Sequence, residues 1–185
     1  MISAIHQTAL VAFLAFSIVE PAFSARVPAA DEVQALTADL LALSPQVRRD
    51  EASRFARVAL RSSIELAREY RLVRSPHFHN FLVNTGVRDR GLCHEWARDL
   101  GARLSEVRSP SLVLRWGIAR AGTLREHNCV VVTARGQPFA RGLILDGWRR
   151  SGRLYWTRVA ADRYPWKEDT SESFRRRSPA RLSAR

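Results

Sequence analysis

Three short segments carry side chains suited to attack on a carbonyl carbon: GLCHEW at 91–96, EHNCVVV at 126–132 and LILDGW at 143–148. Cys93 is one of only 2 cysteines, His127 follows it by 34 residues, and Asp146 follows His127 by 19. A thiolate is a strong nucleophile. An imidazole can hold it as an ion pair and later protonate a leaving amine, while a carboxylate on the far ring nitrogen fixes the tautomer and supports the imidazolium. Cys93 falls where a helix is expected to begin. The unpaired N–H groups and the macrodipole of a first turn favour an anion there, and so the thiolate over the thiol. The same N–H groups, that of Cys93 among them, are candidates for part of an oxyanion hole. This chemistry calls for no metal and no organic cofactor.

Positioning the set requires a helix that starts near Cys93 and strands that carry His127 and Asp146. From about Leu92, Trp96, Leu100 and Leu104 recur on one helical face. After Pro110 the pattern changes to LVLRWGI, NCVVVT, GLILD and RLYWTRV, short runs rich in β-branched and aromatic residues and separated by Gly-containing turns. GWRRSG joins the last two as a hairpin connection. His127 then leads one strand and Asp146 ends the next. Upstream, 31–43 places Val33, Leu36, Leu40 and Leu43 at helical spacing, with Asp31 as N-cap and Ser44-Pro45 as the stop. Pro45 also suits the first position of a long second helix capped by Ser44. Ala52, Phe55, Ala59, Leu66 and Tyr70 carry that helix to about Val73, with a break expected near Ser62-Ser63. Ser75-Pro76 ends it, and 77–90 reads as an irregular polar segment with His77 and His79 at the surface. Helices first and an antiparallel sheet second make an α+β domain over 25–170, its N-terminal helices packed on a C-terminal sheet.

A Cys that opens a helix within Gly-x-Cys-x-x-Trp, a His that leads an apolar strand, and an Asp followed at +2 by Trp resemble, in that order, the transglutaminase-like branch of the papain-like cysteine proteinases. The resemblance covers about residues 84–156 and leaves the N-terminal helices unexplained. It implies Cys93 as nucleophile, His127 as general base and acid, and Asp146 as the orienting carboxylate. It further implies hydrolysis or acyl transfer at an amide of a peptide or protein substrate through a Cys93 thioester. Two positions depart from the family pattern: Cys129 where an aromatic is common, and Gly147 where Pro is common. The family includes members without activity. The rival is therefore a catalytically silent exported domain that binds peptide or cell-wall material, with Cys93 inert or bridged to Cys129.

Each residue also has a plainer reading. Two cysteines in an exported chain often pair, so a Cys93–Cys129 disulfide is open on sequence. His127 and Cys129 stand at i and i+2 on one strand and share a face; if that face meets the Cys93 helix, a thiol beside the histidine follows with or without a bond. Zinc held by Cys93, His94, His127 and Cys129 is less favoured, because adjacent helical residues point about 100° apart. His127 reads as a polar strand end, and Asp146 as a turn residue in Asp-Gly. Trp96 and Trp148 read as core or cleft walls. Asn84 is an oxyanion donor that no spacing demands.

Composition bears on location and partners. The apolar run ALVAFLAFSIV at 9–19 is too short to span a bilayer comfortably, and Ala22-Phe23-Ser24 places small residues at −3 and −1 before Ala25. Residues 1–24 therefore read as a secretory signal peptide and the chain as periplasmic or secreted. The segment before the run has no Lys or Arg, and an uncleaved N-terminal anchor is the alternative. The chain carries 30 Lys and Arg against 18 Asp and Glu, a net +12 that becomes +13 once Glu20 is removed with the leader. The Arg-rich end at 171–185 reads as a disordered tail suited to anionic lipid or cell-wall polymer. An exported protein meets little nucleic acid and no binding motif for it is recognised, so no nucleic-acid partner is expected.

Overall fold

The computed structural model describes residues 27–73 and 75–171. The expected signal peptide (1–24) and the arginines of the tail lie outside the described residues.

The spacing of Leu36 and Leu40 buries one face of helix α1 (Ala30–Leu41) completely. Its N-cap is Ala29, one position before the helix, and not Asp31. Asp31 and Glu32 occupy the first turn, where negative charge offsets the positive end of the macrodipole. Helix α2 (Arg49–Glu69) starts four residues later than Pro45. Leu43 and Val47 are both buried, and they draw the intervening segment over the core as a turn closed by the Val47 N–H on the Ser44 carbonyl at 3.0 Å. The break expected at Ser62-Ser63 does not occur. Both serines are buried in an unbroken helix, and Ser63 Oγ donates to the Gly152 carbonyl at 3.0 Å.

Ser75-Pro76 opens a helix and does not end α2, which stops at Glu69 and not near Val73: Arg71 turns to φ 52° and the Leu72 N–H returns to the Ala67 carbonyl at 3.0 Å. Ser75 Oγ accepts from the Phe78 N–H at 3.3 Å and Pro76 takes the first position of α3 (Pro76–Asn84), where its missing N–H costs nothing. The irregular segment expected at 77–90 is therefore largely helical. His77 is exposed, but His79 is wholly buried, with Nε2 donating to the Arg90 carbonyl at 2.8 Å.

Helix α4 (Cys93–Ser105) is followed by β1 (Leu112–Ala119), β2 (His127–Ala134), β3 (Leu143–Asp146), β4 (Tyr155–Arg158) and β5 (Trp166–Glu168). All neighbours are antiparallel, in the order β4-β3-β2-β1-β5. GWRRSG forms the β3–β4 connection, with Asp146 paired to Tyr155. β5 lies beyond the four expected strands: three residues after Pro165 give too short a pattern, and only pairing with the β1 edge makes them a strand. Among the described residues the architecture is α+β, four α-helices and a five-stranded antiparallel sheet.

Strand alternation divides β2 between two environments. Val130 and Val132 join Trp116, Leu143 and Leu145 in one core with Trp96, Leu100 and Leu104 of α4 and Phe55 of α2. Each such buried side chain contributes about 1.5–3 kcal/mol of hydrophobic stabilisation. Cys129 and Val131 point the other way, into a smaller cluster with Ile144 and Val159 under Phe139 and Trp166. Among the described residues no helix is long and apolar enough to cross a membrane.

Candidate active site

Cys93 is the first residue of α4 and is half-buried. The turn before it is held from inside the helix. Glu95 Oε2 accepts the N–H of Gly91 at 2.7 Å and that of Leu92 at 3.0 Å. Burial acts against the Glu95 carboxylate, but these two N–H groups and Arg90 keep its pKa below the usual range. Leu92, the N-cap, has no side chain that can cap, so no side-chain acceptor competes for the first-turn N–H groups beside the sulfur. Gly91 has φ 125°, and a Cβ there would lie 2.3 Å from His79 Nε2. Only glycine allows the chain to pass over that buried imidazole into α4.

His127 opens β2 and Asp146 closes β3, and both are buried. Val130 pairs with Leu145. Continuing that register sets Asp146 across from Cys129 and diagonal to His127, all three on one face. His127 Nε2 donates to Asp146 Oδ2 at 2.7 Å, which leaves Nδ1 for the sulfur of Cys93. The ring is walled by Trp148, Tyr164 and Trp166, with centroids 4.9, 5.1 and 5.4 Å away. Burial alone would discourage a proton on this ring. The Asp146 hydrogen bond, the Cys93 side chain and the charge of Asp146 outweigh it and push the pKa up to about 9. Burial likewise opposes the Asp146 charge, yet His127, followed by the N–H and guanidinium of Arg149, holds its pKa below the usual carboxylate value.

Asp146 is both a turn residue and the partner of His127. Its Oδ1 accepts the Arg149 N–H at 2.9 Å, fixing the turn, while Oδ2 is shared by His127 and by Arg149 Nε at 3.1 Å. Arg149 also donates to Asp162 at 2.8 Å and lies over the rings of Tyr155 and Tyr164. The carboxylate is thus clamped in position and in charge.

Around the sulfur, the Glu126 carbonyl lies at 3.8 Å and Asn128 Nδ2 at 4.0 Å. The Asn128 amide is fixed at both ends: Oδ1 accepts from Trp116 Nε1 at 2.7 Å and Nδ2 donates to Glu126 Oε1 at 3.1 Å. Sulfur and imidazole face a cleft of about 470 Å³ that His77, Asn80, Trp148, Tyr164 and three arginines also line. Asn80 Oδ1 accepts from Trp148 Nε1 at 2.9 Å and so steadies that wall.

Comparison with protein-family models, curated proteins and solved structures gives no match to this chain. Its chemistry rests on the geometry of its own residues.

The structure brings Cys93, His127 and Asp146 to one site from three separate elements. It does not bring Cys129 to the sulfur. Both thiols are free, and Cys129 sits on the sheet face opposite α4, where burial pushes its pKa well above the ordinary thiol range. The face shared by His127 and Cys129 is therefore not the face on which α4 packs. Histidine reaches the sulfur because it stands at the end of the strand. Among the described residues no group of three or more His, Cys, Asp or Glu side chains could hold a metal ion. Asn84, the oxyanion donor considered on sequence, lies at the end of α3; Asn80 and Asn128 are the amides at the cleft. Trp96 is core and Trp148 is cleft wall. Arg149 escapes a reading of the sequence, although its place three residues after Asp146 fits the turn that binds it. Asn128 carries no signal, because a polar residue inside an apolar strand shows its partner only once β1 is alongside.

Proposed function

We propose that this protein is a thiol-dependent enzyme of the transglutaminase-like, papain-like type, which hydrolyses a peptide or protein amide or transfers its acyl group. One observation carries the reading: a buried imidazole whose Nε2 is held by Asp146 at 2.7 Å and whose other nitrogen is left for a thiol at an uncapped helix start. A helix-borne cysteine beside antiparallel strands bearing His and Asp in that chain order is also the arrangement expected of this family.

With the imidazole protonated, Cys93 is the thiolate of an ion pair. The sulfur attacks the amide carbon, and the carbonyl π electrons move to oxygen. The first-turn N–H groups of α4 and the Asn128 amide, whose Nδ2 lies 4.0 Å from the sulfur, are the donors assigned to that developing charge. On collapse the C–N bond breaks and the nitrogen takes the His127 proton, so a neutral amine departs and a Cys93 thioester remains. Water or a second amine then attacks the thioester and gives its proton to His127, and the thiolate leaves. Asp146 keeps the ring in the required tautomer throughout and stays ionised. The reading includes export: the leader-like segment supports an envelope or extracellular setting for this thiol, in which peptide material is the substrate expected.

Incubating the mature protein with peptide mixtures, with and without a labelled primary amine, tests this. New peptide termini or amine incorporation, read by mass spectrometry and lost in Cys93→Ala, is the expected result. Product formation undiminished in Cys93→Ala would overturn it.

A further inference from the structure

Three guanidinium groups line the cleft that Cys93 opens into: Arg120 and Arg125 on the β1–β2 connection and Arg163 on the β4–β5 connection. All three are exposed, and none is ion-paired among the described residues. Elsewhere Arg90, Arg103, Arg115, Arg149 and Arg153 each meet a carboxylate, while Arg57, Arg135, Arg141 and Arg158 have no ion pair among the described residues, so it is the convergence of three such cations on one cleft that sets this group apart. Nor are the cleft arginines placed at random. Arg120 and Arg163 lie over the Tyr164 ring at 5.3 and 5.4 Å, and that ring packs on His127 at 5.1 Å. One aromatic ring therefore separates each of these two cations from the imidazole. Arg120 also holds φ at 54°, the left-handed region that side chains other than Gly, Asn and Asp adopt rarely. Glu126 is the acid lining the cleft; its carboxylate is turned onto the Gly122 N–H at 2.8 Å and onto Asn128. The charges of His127 and Asp146 offset one another. With the Cys93 thiolate of the proposed ion pair counted beside Glu126, the mouth is left with three positive charges against two.

We infer that the site takes acidic peptide, in which an Asp or Glu side chain beside the reacting amide is received by Arg120, Arg125 and Arg163; this rests on the thiol-enzyme reading above. Guanidinium forks match carboxylate geometry, and a cleft of one sign concentrates ligands of the other.

Small haloacetyl reagents test the assignment without knowledge of the natural substrate. Cys93 of the mature protein is alkylated with iodoacetate, which is anionic, and with iodoacetamide, its neutral counterpart. The ratio of the two rates cancels any change in thiol reactivity common to both. At low ionic strength the ratio should fall on the order of tenfold in the triple variant Arg120→Gln/Arg125→Gln/Arg163→Gln. Added salt should lower the parent ratio toward that of the variant. A matched pair of peptidyl chloromethyl ketones, Ala-Glu and Ala-Gln, should show the same preference for the acidic member and the same loss. A ratio that the triple substitution leaves unchanged overturns the acidic-substrate assignment while the nucleophile stands. Failure of neutral iodoacetamide to label Cys93 faster at pH 6 in the parent than in His127→Ala removes the nucleophile reading, and this inference with it.

Discussion

Replacing Asp146 by asparagine should change how stability depends on pH, and the size of the change follows from the site. In the folded protein the His127 pKa stands at about 9, against an ordinary value of 6.5. A histidine that binds its proton more tightly when folded adds stability that is complete below about pH 6.5 and disappears as pH rises through about 9. A shift of about 2.5 units corresponds to about 3 kcal/mol. The asparagine amide would offer one oxygen where Asp146 accepts from three donors: His127 Nε2, the Arg149 N–H and Arg149 Nε. With the carboxylate gone, burial of the ring is far less opposed and the His127 pKa falls toward or below its ordinary value. Because Cys93 also contributes to the shift, the parent should thus exceed Asp146→Asn by up to about 3 kcal/mol more at pH 6 than at pH 10. Urea denaturation of both proteins at the two pH values, each carrying Cys93→Ser so that no thiol titrates beside the ring, measures this, and taking the difference between proteins cancels the titrating groups remote from the site. A gap of equal size at both pH values would refute the coupling between His127 and Asp146.

Two further substitutions probe the frame around the site. Cys129→Ala should cost about 1–3 kcal/mol in a denaturant melt, as loss of a small buried apolar group, with reductant leaving the parent melt unmoved and Cys93 alkylation persisting; equal losses in Cys93→Ala and Cys129→Ala that reductant reproduces would instead mean a bridge. Gly147→Ala should destabilise by about 1–3 kcal/mol, because the new Cβ would lie 2.4 Å from Trp96 ring carbons and 2.9 Å from Ser63 Oγ; a melt within error of the parent would show that the Asp146 turn can shift away from α4.

Helix α4 and strands β1 to β4 are legible because their periodicities are unmixed: Trp96, Leu100 and Leu104 recur at helical spacing, and the strands are short β-branched runs between glycines. Where a signal serves two purposes the sequence misleads. Ser75-Pro76 reads as a helix stop but caps the start of α3, α2 having ended at Glu69, and that hides α3 and with it the burial of His79. Ser44-Pro45 has the composition of a helix start, yet burial of Leu43 and Val47 overrides it with a turn. The three site residues can be named because each lies at the boundary of an element, where side chains project beyond the packed core. Their supporting residues are hidden for the converse reason. Arg149 and Asn128 act through partners that come alongside only when the sheet forms, and which face of β2 meets α4 is decided by packing. That last point separates Cys129 from Cys93, and no spacing in the sequence contains it.

The role proposed for Cys93 is tested most directly by the rate at which iodoacetamide alkylates it, mapped by mass spectrometry, in the parent and in His127→Ala from pH 5 to pH 9.5. Cys129 is 1% exposed and should stay unlabelled in the native fold. With His127 protonated up to about pH 9, the parent should react rapidly already at pH 6. His127→Ala should be slower there by about tenfold or more, and the two should converge toward pH 9.5 as any thiol ionises. Coincident rate profiles across the whole range would contradict the pairing of Cys93 with His127.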